Sequence, residues 1–66
     1  MTDPSASDLV RAAADRLRDA DVASPEHDAA ELLAHVLGTT RPGLALVDAV
    51  AEADRVRFDG LVTRRA

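Results

Sequence analysis

The sequence predicts an all-α fold, a small bundle of four helices with the third one short. Three observations carry that expectation. Apolar residues recur at three- and four-residue spacings, helix-capping residues stand ahead of these stretches, and no segment shows the alternation of a half-buried strand. At 66 residues the chain is one domain. A chain of this size buries only about 60% of the surface that its unfolded form exposes. Its core then supplies roughly 3–5 kcal/mol.

The first helix is expected over residues 5–20. Ser5-Ala6-Ser7-Asp8 places a capping serine three residues ahead of an acid. Leu9, Val10, Ala13, Ala14 and Leu17 then form an apolar stripe, with Arg11, Asp15, Arg18 and Asp19 outside it. Asp21-Val22-Ala23 breaks the period and reads as a short connection with Val22 turned inward. The second helix, residues 25–37, has the clearest signal. Ser24 is a good N-cap, Pro25 suits the first helical position, and Glu26 and Asp28 put negative charge at the positive end of the helix dipole. Ala29, Leu32, Leu33, Val36 and Leu37 make one stripe, and Gly38 stands where a left-handed residue ends a helix.

Pro42 and Gly43 disfavour a regular helix in the third segment, residues 41–47. A short or partly 3₁₀ turn is expected there, carrying Leu44, Leu46 and Val47 into the core. The last helix, residues 51–65, is expected to bury Phe58, Leu61 and Val62 over Val50 or Ala53. Asp48 is its only candidate cap, and Gly60 in its middle would permit close approach of another helix. Arg64 and Arg65 suit its negative end.

Composition excludes several kinds of function. There is no cysteine, so no disulfide, thiolate metal site or cysteine nucleophile exists. One Phe, with no Trp or Tyr, leaves nothing on which bases could stack. The net charge is −4 and every basic residue is Arg, without a basic block, which is poor equipment for nucleic acid or anionic membrane. No apolar run approaches a signal-peptide core or a membrane span, so a cytoplasmic location is the expectation.

Five constellations remain. His27, Glu31 and His35 share one helical face and could chelate a divalent ion between two of them, but no further ligand is evident and a first-row metal site needs three or four. A surface ladder with Glu31 shared by two imidazoles is the plainer reading. Arg55, Arg57, Arg64 and Arg65 could form a docking patch for an acidic partner, although Asp54 and Asp59 dilute it. Ser5, Ser7 and Ser24 sit where caps belong, without a base to activate them. Ser7-Asp8-Leu9 is in the wrong order for the Asp-Ser-Leu of a phosphopantetheine carrier protein, and Glu26, Asp28 and Glu31 are wrong for a DNA-recognition helix. No catalytic, cofactor-binding or metal residue is therefore assigned. Asp28 stands beside the apolar stripe, where it would cap or pair with an Arg from another element.

The string from Ser24 to Gly38, with its Ser-Pro, Asp28-Ala29, Leu32-Leu33 and His35-Val36 pairs, resembles the N-terminal domain of the release factor glutamine methyltransferases, the HemK/PrmC family. The likeness extends to Arg41, Leu44 and Leu46, and to Phe58-Asp59-Gly60-Leu61-Val62-Thr63-Arg64-Arg65. Pro42 and Gly43 depart from the family's more helix-friendly residues, and Val47 to Ala51 is more apolar than the family's polar, cap-like stretch.

The resemblance implies the substrate-recruiting N-terminal domain of a larger two-domain enzyme. That enzyme transfers a methyl group from S-adenosylmethionine to the Gly-Gly-Gln glutamine of peptide-chain release factors. The Rossmann-like catalytic domain with its Asn-Pro-Pro-Tyr motif would lie outside residues 1–66, where there is no Asn, Gln or Tyr. The implied partners are the release factor and that catalytic domain, with no nucleic acid or membrane. The 66 residues alone would be monomeric and without activity or cofactor. The competing expectation is a free-standing helical interaction module with no enzymatic parent, alone or as a homodimer in the manner of small bundles with thin cores.

Overall fold

Ser5 starts the first helix as its pattern requires. Its backbone is extended (φ −74°, ψ 162°) and its Oγ accepts from the Asp8 N–H at 3.2 Å, satisfying one of the helix's orphan donors. The computed structural model describes residues 2–66, and in it α1 spans Ala6–Asp19. Ala6, Ala13, Ala14 and Leu17 are buried, Leu9 and Val10 are half-buried, and the expected outer residues are exposed.

The helix ends on a turn that the sequence does not announce. Asp21 adopts φ 63°, the Val22 N–H donates to the Leu17 carbonyl at 3.0 Å, and the Asp21 N–H donates to the Arg18 carbonyl at 3.0 Å. This is a Schellman closure with aspartate where glycine is usual, and it turns Val22 against the core.

Helix α2, Pro25–Leu37, closes in the same way with glycine. Gly38 sits at φ 68°, ψ 34°, and the Thr39 N–H reaches the Ala34 carbonyl at 3.0 Å. Pro25, Ala29, Leu33, Ala34 and Val36 are buried. One expectation at its start needs correction. Ser24 holds the N-cap position, but its side chain makes no capping bond; only its carbonyl engages the helix, accepting from the Asp28 N–H at 2.9 Å.

Among the described residues the four-helix count becomes three α-helices and one 3₁₀ turn, Pro42–Leu46. Its bonds run over three residues: the Leu44 N–H donates to the Arg41 carbonyl at 3.1 Å, and the Val47 N–H to the Leu44 carbonyl at 3.0 Å. Gly43 suits the tight turn, because a Cβ there would push the Thr39 side-chain oxygen aside. Leu44 is buried and Val47 is partly covered, as residues three apart on a 3₁₀ turn share a face. Leu46, expected inside, is 85% exposed because it falls off that face.

Helix α3, Glu52–Arg65, buries Phe58 and Val62, with Leu61 partly covered. Val50 lies beneath it and Ala53 is exposed. Asp48 does not cap this helix; Ala51 holds that position without a side-chain bond. The 47–51 segment is instead strapped to the arm that precedes α1. The Ala6 N–H donates to the Val47 carbonyl at 3.1 Å, the Val50 N–H to the Pro4 carbonyl at 2.9 Å, and Arg55 bonds Asp3 at 2.8 Å and the Val50 carbonyl at 3.0 Å.

Helices α1 and α2 form an antiparallel hairpin with the broadest contact in the molecule, and α3 packs mainly on α2. The radius of gyration, 10.8 Å, is that of a well-condensed chain of this length. No polar side chain is buried among the described residues, so small aliphatic side chains, a single Phe and Pro25 fill the interior. No described helix is long and apolar enough to cross a membrane. Gly60 does not serve the packing expected of it. It is exposed, and a Cβ there would meet nothing within 4 Å, although glycine at a mid-helix position costs about 1 kcal/mol relative to alanine.

Candidate functional site

Arg41 takes over the His27–Glu31–His35 face. From its place ahead of the 3₁₀ turn, its Nη1 lies 2.8 Å from His27 Nδ1 and its Nε lies 2.8 Å from Glu31 Oε1. Glu31 is therefore engaged by a guanidinium that ties the turn to α2, and not shared between imidazoles as the ladder reading expected. Among the described residues no group of three His, Asp or Glu side chains is gathered closely enough to hold a metal ion.

The arginines expected as one patch are divided among separate jobs. Arg55 belongs to the strap, Arg57 stands 3.7 Å from Asp54, and Arg65 reaches back to α2. Arg16, from α1, bonds Asp59 at 2.6 Å and Thr63 at 2.8 Å, which fastens α1 to α3. Arg64 has no ion-pair partner among the described residues.

The partner sought for Asp28 is Arg65. Both Nε, at 3.1 Å, and Nη2, at 2.8 Å, donate to Asp28 Oδ2, whose side chain is only 20% exposed. The pair joins the first turn of α2 to the last turn of α3, where each charge also suits its helix end. Because the guanidinium is half in solvent, the contribution is that of a screened, charge-assisted bond. Asp28→Ala is expected to destabilise the domain by about 1 kcal/mol, measured as a fall in the urea midpoint. Arg65→Ala should do much the same, and the double variant should be little worse than either single one. A midpoint unchanged in Asp28→Ala would remove the pair from the stabilising contacts.

A concave surface lies where α1, α2 and the 3₁₀ turn meet. It is an open groove of about 430 Å³ with Val10, Ala14, Ala30, Leu44 and Ala45 among its lining residues. On its rim Arg18 bonds Asp15 at 2.8 Å and also Glu26. The Asp15 bond first, then the Glu26 charge, push the Arg18 pKa further up, so this cation persists at every accessible pH. Sequence periodicity names Val10 and Ala14 only as core; their second role at the groove depends on how α1 crosses the 3₁₀ turn. The groove holds no nucleophile beside a base. Its chemistry is that of contact, an apolar floor inside a rim of paired charges.

Two comparisons find nothing: no curated protein and no solved structure matches the chain. A third does find a likeness. A family model described as the PrmC N-terminal domain matches residues 8–66, from the first turn of α1 through the whole of α3.

Proposed function

The chain belongs to the PrmC N-terminal domain family, and from that premise we propose that it is the substrate-recruiting domain of a release factor glutamine methyltransferase. The match over residues 8–66 is the observation that carries this reading. The parent reaction is methyl transfer from S-adenosylmethionine to the side-chain nitrogen of the Gly-Gly-Gln glutamine, carried out in a separate catalytic domain. The residues described here do not fit that cofactor. Phe58, the one aromatic side chain, is buried in the core, and no glycine-rich turn links a strand to a helix. On this reading the work of the domain is positional and non-catalytic. It is monomeric and cytoplasmic, and its partners are the release factor and the catalytic domain, without nucleic acid or membrane.

A recruiting domain acts by raising the local concentration of the target loop at a distant reacting centre. Removing it from the methyltransferase should raise KM for an intact release factor at least about tenfold. The rate on a short Gly-Gly-Gln peptide, which cannot reach a second contact surface, should stay nearly the same. Steady-state methylation assays on both substrates read this directly. An unchanged KM for the intact factor would refute recruitment. A stable dimer of the 66 residues, with no affinity for release factor, would favour the free-standing interaction module.

A further inference from the structure

Gly60 weakens α3 without serving any contact inside the chain. It lies in a shallow groove of about 380 Å³, lined with His35 from α2 and Val56, Arg57, Leu61 and Arg64 from α3. Val56 is 66% exposed, one of two large apolar side chains left in solvent among the described residues. No carboxylate lines this groove, although the chain as a whole carries −4. Asp54 sits one turn back, 3.7 Å from Arg57, and Asp59 is held by Arg16 on the α1 side. The groove thus combines an apolar strip, a missing Cβ, two guanidiniums and an imidazole.

A glycine on an exposed helix face lets another backbone come close, as no side chain stands in the way. No element of this chain takes that position. We propose that the outer face of α3, closed on one side by His35, is a docking site for an acidic amphipathic helix of a protein partner. That helix crosses α3 at Gly60, sets an apolar side chain against Val56 and Leu61, and places its carboxylates by Arg57 and Arg64. Opposite charge would set its register and speed its arrival, and salt would weaken it. Nucleic acid fits less well, since three scattered basic groups without an aromatic side chain offer neither a phosphate track nor a stacking surface. The proposal stands apart from the identity of the partner implied by family membership.

The probe is a synthetic helical peptide with a leucine stripe flanked by glutamates, and the control carries lysine at every glutamate position. Titrated at low salt into the isotopically labelled 66-residue chain, the glutamate peptide should shift the amides of Val56, Arg57, Gly60, Leu61, Arg64 and His35. The lysine peptide should leave them in place. Arg64→Gln should weaken binding several-fold. Gly60→Ala should act in opposite directions, raising Tm by about 4–8 °C while weakening the peptide about tenfold. A glycine of merely local importance would raise Tm and leave affinity alone. That result would overturn the proposal. So would shifts confined to the Val10–Leu44 groove, no shifts at all, or stronger displacement of the same amides by duplex DNA or anionic lipid vesicles.

Discussion

Leu33→Ala is expected to leave the domain barely stable, with a substantial fraction unfolded under physiological conditions. Leu33 is fully buried in the middle of α2, the helix with the broadest contact to the other two. Truncation removes the transfer free energy of the lost methyl groups and leaves a cavity that a rigid hairpin cannot collapse, together about 3 kcal/mol. That is comparable with the roughly 3–5 kcal/mol that a core of this size supplies. Circular dichroism should show much of the helical signal lost before heating. Leu33→Met, which conserves volume, should keep the fold at a cost below about 1.5 kcal/mol. Leu46→Ala is the matched control. With Leu46 85% exposed, the change should stay within about 0.5 kcal/mol. A folded, cooperatively melting Leu33→Ala variant would mean that the core is more plastic than its packing implies.

The second large effect should come from shortening the arm. Starting the chain at Ser5, without residues 1–4, deletes the Pro4 carbonyl that accepts from the Val50 N–H and the Asp3 carboxylate that holds Arg55. Val50 is 1% exposed, so its amide loses its acceptor where water has little access. An orphaned donor of that kind costs about 1–3 kcal/mol, to which the partly exposed ion pair adds little. A loss of about 2 kcal/mol is expected, read from denaturant unfolding, with accelerated hydrogen exchange at Val50. Asp3→Asn alone should cost far less, because it spares the backbone bond. Equal losses from the two variants would place the stabilisation in the ion pair.

Helix α2 was legible almost in full. Cap position, N1 proline, stripe and terminating glycine are all local signals, and each forms within a few residues of chain. Asp28 was legible as a carboxylate in need of a cation, yet its partner was not, since Arg65 lies 37 positions away. The strap left no trace in the sequence because it pairs two aperiodic stretches through their backbones, which carry no residue code. Leu46 was misread for a different reason: hydrophobicity tells that a side chain is apolar, whereas its direction depends on the pitch of a five-residue turn. The surfaces were the least legible part. Grooves arise where elements cross, and Val56 looks unremarkable until the face it occupies is seen to lack a carboxylate.

The strap also bears on how the domain opens and closes in time. Asp3 and Arg55 are 52 positions apart, whereas the α1–α2 hairpin assembles from neighbours in sequence. Loop-closure entropy favours the hairpin as the early event and leaves the strap to form after the barrier has been crossed. Interactions made that late act on the escape rate and hardly on the approach. A shortened arm should therefore refold nearly as fast as the intact chain and unfold many times faster. Asp3 and Pro4 thus set the lifetime of the native state.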